Sequence, residues 1–140
     1  MKPVNQTKTH IEGEQNGNCW AACLASIFEC DINDFPDWEN SISWADHFLS
    51  VCAVIEAKGY EWGQYTIENT EPGCLDKYSI DGYVIAIGKS PRSTPDKRVN
   101  HAVVWKNGIA YDPHPDKTGI QDIISFEVFY KINNPQTSER

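Results

Sequence analysis

The stretch GNCWAACLASIFE, residues 17–29, reads as the start and body of a buried helix that carries a cysteine in its first turn. Gly17-Asn18 offers a chain reversal and an N-cap, and the spacing that follows predicts a helix over 19–29. Ala21, Ala22, Leu24 and Ala25 are strong helix formers. Trp20, Cys23, Leu24, Ile27 and Phe28 leave few polar sides, so the helix is expected inside the protein. A cysteine at such a place is either a reactive nucleophile or one more small apolar residue, and the rest of the chain must decide.

Outward from this helix the pattern changes twice. CDINDFPDW, residues 30–38, ends it with turn residues and Pro36. A second helix is predicted over 43–58, capped by Ser41 or Ser43 and stopped at Gly59. Trp44, Phe48, Val51, Cys52 and Ile55 make its core face, which puts His47 and Glu56 on the wet side. Beyond Gly59 the period becomes two. YEWGQYTIE, GYVIAIG, HAVVW, IAYDP and ISFEVFYKI read as strands, with Asn107-Gly108 as a tight turn between the third and fourth. Helices first and strands afterwards predict one α+β domain over 1–140, its helices packed on an antiparallel meander. Residues 1–15 are expected to be extended and the tail NNPQTSER frayed.

Composition narrows the function. A chain of 140 residues that is 40% apolar and 23% charged folds as an ordinary globular domain. Its net charge of -8 argues against nucleic acid and against an anionic membrane surface as partners. The polar opening MKPVNQTKTHIEGEQ lacks an apolar h-region, so no secretory signal and a cytoplasmic location are expected. Cys19, Cys23, Cys30, Cys52 and Cys74 are an odd set, expected to be reduced thiols, and their spacing does not suit a zinc site.

Three residues combine into chemistry. Cys19 sits where a helix start favours the thiolate and would lower its pKa. His101 opens one strand of a ribbon and Asp112 closes the other, so the two fall side by side at its open end. A carboxylate there can hold an imidazole ready to serve a thiol. Taken singly, each residue has a plainer reading: core packing for Cys19, a strand-edge histidine for His101, a turn residue for Asp112. Asp112, His114 and Asp116 in DPHPD also alternate in a way that could chelate a divalent ion together with His101, although no further motif completes a metal set. Lys89, Arg92, Lys97 and Arg98 in the loop before His101 either steer an anionic group, form a lid, or are simply solvated.

GNCWAACLAS together with NHAVVWKNGIAYDPHP resembles the papain-like cysteine peptidase superfamily, and within it the bacteriocin-processing peptidases. PVNQT, GKSPR and YDPHPDKTGI extend a narrower likeness to a group of small phage and bacterial proteins. The resemblance implies a papain-like fold with Cys19 as nucleophile, His101 as general base and Asp112 as its orienting partner. It also implies an oxyanion-hole glutamine, for which Gln15 is nearest in sequence and Gln6 is the alternative if the N-terminal segment folds back beside the helix. Trp20, Trp105 and His114 would line the substrate pocket. The implied activity is that of a thiol hydrolase or acyltransferase acting on an amide, peptide or isopeptide bond without a cofactor, and the narrower likeness implies a phage-encoded protein active in the host cytoplasm. A silent papain-like module that binds a host protein or a small metabolite, with Trp20, Trp62, Trp105 and Tyr111 around a pocket, is the rival expectation.

Overall fold

ISFEVFYKI carries bulky apolar residues on both of its faces, Phe126 and Val128 on one and Phe129 on the other, as suits a strand covered on both sides. In the computed structural model of the chain, which describes residues 1–11, 15–37, 42–69 and 74–132, that segment is the long strand β5, Gln121–Lys131. It lies between β1 (Tyr60–Thr66) and β2 (Val84–Lys89), and β3 (Asn100–Trp105) and β4 (Ile109–Tyr111) follow outward from β2. Neighbouring strands are antiparallel throughout. The simple meander is therefore corrected: the last strand inserts beside the first, leaving the half-exposed YEWGQYT as an edge. The α+β class stands, with helices α1 (Cys19–Phe28) and α2 (Trp44–Ala57) before the sheet.

The core is split by the sheet. On one face α1 places Ala22, Cys23, Leu24, Ala25 and Ile27, and α2 places Val51 and Ile55, against Ile85, Ala102, Val104 and Phe129. On the other, Val84, Ala86, Val103, Phe126 and Val128 are covered by Tyr65, Tyr78, Trp105 and Tyr130. Helix α1 is apolar nearly all round because it is wedged between the sheet and an N-terminal strap. Lys2 N–H donates to Ser26 O at 3.0 Å, Val4 N–H to Ser26 Oγ at 2.9 Å, and Gln6 N–H to Pro113 O at 3.1 Å. Residues 2–6 thus tie α1 to the segment that follows β4.

Local signals account for the boundaries. Ser43 Oγ accepts from Asp46 N–H at 3.1 Å and caps α2; Ser41, its competitor, lies outside the described residues, as does the tail from 133 onward. Asn107 and Gly108 both take positive φ, as a tight turn requires. Among the described residues no helix is long and apolar enough to cross a membrane. Cys19, Cys23, Cys30 and Cys52 are free thiols.

Gly88 faces His101 across the β2–β3 ladder, at the point where β5 slips register. A Cβ there would stand 2.7 Å from Gln121 O and 3.2 Å from Asp122 O, both backbone atoms that cannot swing aside. Gly88→Ala should therefore cost about 2 kcal/mol or more of stability. The urea midpoint of the variant measures this, and an unchanged midpoint would show that β5 yields freely at its bulge.

Candidate functional site

The first turn of α1 lacks a side-chain cap. Asn18 was expected to supply one, but its Oδ1 accepts instead from Thr7 N–H at 3.0 Å and Lys8 N–H at 2.9 Å, pinning the strap. The helix N–H groups that a cap would have occupied are left for other use. In its thiolate form the Cys19 sulfur would accept from the backbone N–H groups of Ala102, Trp20 and Cys19 itself. The sulfur thus sits against β3, beside the residue that follows His101.

His101 and Asp112 meet as the ribbon geometry predicts. His101 Nε2 lies 2.7 Å from Asp112 Oδ1, with both side chains only 3% exposed. Asp112 also accepts from the backbone N–H groups of His114 (2.9 Å) and Gly119 (2.7 Å). Burial pushes its carboxyl up, but these three donors outweigh burial and hold it below the usual carboxylate range. A carboxylate so held fixes the ring and keeps a proton on Nε2, which leaves Nδ1 as the basic atom. Burial lowers the His101 pKa below its ordinary value, with Asp112 pulling the other way and Arg92 and His114 adding to the fall. At neutral pH the imidazole is uncharged.

One expectation is reversed. The helix start and nearby N–H groups favour the Cys19 thiolate, but burial outweighs them and the thiol is raised above its ordinary value. Cys23, deeper in the core behind it, is raised further by the same cause. The resting pair is a neutral thiol and a neutral imidazole.

Cys19, His101 and Ala102 share the wall of a cleft of about 710 Å³ between α1, α2 and the sheet. Trp20, Trp44, His47, Phe48 and Trp62 line it in a continuous series of ring contacts, with centroids 5.0 to 6.3 Å apart. His47 is therefore not on the wet side: it is 7% exposed, packed against Trp20 and Trp44, and burial lowers its pKa. Of the residues expected to line the substrate pocket only Trp20 lines this cleft, and of those expected around a binding pocket Trp20 and Trp62 do while Trp105 and Tyr111 do not. Trp105 lies on the opposite face of the sheet against Phe126, because its strand parity differs from that of Ala102 and Val104. His114 stands edge-on to the His101 ring and pairs with Asp116 at 3.0 Å, outside the cleft.

The two glutamines also separate. Gln15 donates to Thr9 O at 2.8 Å, away from the cleft. Gln6 is buried beside the turn before Cys19, with Nε2 donating to Lys8 O at 2.8 Å and Oε1 unpartnered among the described residues. Arg92 is not a steering cation, since its guanidinium is spent on Asp116 at 2.8 Å and Thr118 at 3.0 Å. Among the described residues no group of three or more His, Cys, Asp or Glu is arranged to hold a metal ion.

The residue that the sequence reading missed is Glu127. It projects from β5 into the cleft and is 2% exposed, accepting from Trp62 Nε1 and Gln64 Nε2, each at 3.0 Å. Burial pushes its carboxyl up to about 7, against the pull of Trp62, Gln64 and the nearby Trp20. A glutamate set among Phe126, Val128 and Phe129 is the signal that was available.

No family model matches this chain, and neither a curated protein nor a solved structure matches it.

Because the folded Glu127 holds its proton to about pH 7 while an unfolded glutamate loses it near 4.5, the folded state binds more protons between those values. The wild type therefore loses up to about 3 kcal/mol of stability through this group as pH rises across that window. Glu127→Gln does not titrate, so its stability relative to wild type should improve by a comparable amount between pH 5 and pH 8. Urea unfolding of both proteins at the two pH values measures the difference, and a pH-independent gap would contradict the buried-carboxylate assignment.

Proposed function

We propose that this protein is a papain-like thiol hydrolase or acyltransferase acting on an amide, peptide or isopeptide bond. The observation that supports this most directly is that Cys19, at the uncapped α1 start, and His101, held from behind by the buried Asp112, line one cleft. His101 Nδ1 takes the proton of the Cys19 thiol as the sulfur bonds to the substrate carbonyl carbon. The carbonyl oxygen becomes a tetrahedral oxyanion, for which the Cys19 N–H is a ready donor. Gln6, whose amide nitrogen lies near Gly17 and gives one N–H to Lys8 O, has a second N–H that could serve as the other donor. Collapse breaks the C–N bond, and the amine leaves with the proton held at Nδ1. Water or another amine then attacks the thioester with Nδ1 again as base, and the thiol is restored.

A neutral resting pair makes general-base assistance necessary, because little thiolate preexists near pH 7. The same neutrality is what a silent binding module would show, so chemistry must be the arbiter. The probe is an N-acyl amino acid nitrophenyl ester, an activated acyl donor. Nitrophenol should appear in a burst, with the acyl group located on Cys19 by mass spectrometry and absent from Cys19→Ala. His101→Ala should slow acylation about 10³-fold. Asp112→Asn should slow it about 10²-fold or more, and the acid limb, which lies below 6.5 in the wild type, should move lower still as the imidazolium loses its carboxylate. Acyl groups scattered over several cysteines, or rates indifferent to His101, would leave the binding module as the better reading.

A further inference from the structure

The aromatic series and Glu127 have no part in the bond-breaking steps, yet they line the same cleft as Cys19. They grade from open to closed: Trp44 is 59% exposed at the mouth, whereas Glu127 is almost wholly buried at the floor. The floor carboxylate receives N–H groups from Trp62 and Gln64, and the buried Trp20 Nε1 adds a longer, weaker pull on the same group. All three are neutral donors. Lys8 is the one lysine or arginine on the cleft wall among the described residues, and it is ion-paired with Asp37. Glu127 thus has no cation to balance it, within a protein whose net charge is -8.

A buried carboxylate lacking a counter-charge, at the end of a corridor of ring faces, favours a ligand of one kind. Indole and phenyl faces attract cations and pack well against methylenes. The carboxylate rewards a positive end group over a neutral one of the same length. We propose that this cleft receives a long aliphatic side chain ending in a cation, a lysine or arginine of a peptide, with its stem along Trp20, Trp44, Phe48 and Trp62 and its charged end at Glu127. As a substrate-specificity subsite this rests on the reading of Cys19 as a nucleophile; as a cation site it does not.

The test separates the two by measuring binding in the full-length Cys19→Ala protein, where no chemistry intervenes. The probes are the Nα-acetyl methylamides of lysine, arginine and norleucine, titrated calorimetrically at pH 8. Lysine or arginine should bind about tenfold or more tightly than norleucine. Adding Glu127→Gln should erase that preference. Trp44→Ala, at a position 59% exposed and with an unchanged urea midpoint as its control, should weaken the cationic probe several-fold. Equal binding of lysine and norleucine, or a preference that survives Glu127→Gln, would overturn the cation site even if Cys19 is acylated normally. A clear preference in a protein whose Cys19 resists acylation would sustain the site and sink the hydrolase reading.

Discussion

The seating of an uncapped helix start against a strand is the constraint from which the site follows. Asn18 holds the N-terminal strap instead of its own helix, so the first N–H groups of α1 turn toward the cysteine sulfur. The strap in turn runs along α1 through Ser26 and reaches the segment after β4 through Pro113. One set of hydrogen bonds donated by the strap's main-chain N–H groups therefore fixes the position of Cys19 relative to the segment that carries Asp112. The same close seating strips water from the sulfur, which is why the thiol is raised although the helix start favours its charged form.

Two buried carboxylates in this fold meet opposite fates, and the contrast is instructive. Asp112 collects an imidazole and two main-chain N–H groups, which together outweigh desolvation and keep it ionised. Glu127 collects indole and amide N–H groups, and desolvation prevails over them. The first is a fully provided anion suited to orienting a ring through cycles of proton transfer. The second retains unspent affinity for positive charge at the end of an aromatic corridor. The two carboxylates thus differ chiefly in how their charges are satisfied.

The division between local and distant information runs through particular residues. The apolar run after Cys19, the Asn107-Gly108 turn and the two-residue periodicity of the strands announced α1, the β3–β4 ribbon and the pairing of His101 with Asp112, because each depends on neighbours within a dozen residues. The class, α+β with two helices before an antiparallel sheet, came from the same local patterns. Strand order did not, since inserting β5 between β1 and β2 is a contest among distant partners that periodicity cannot adjudicate.

The remaining surprises share that cause. His47 looked exposed on its own helix, yet one of the two rings packed against it, Trp20, belongs to a different helix. Trp105 looked like pocket material until the sheet gave its parity a side. Sequence by itself determined which residue types stand ready for chemistry and which short segments hold them in helix or strand. Only the tertiary structure decided which of them share a cleft, how far each is removed from water, and therefore which carry charge, because desolvation is a property of everything that surrounds a group.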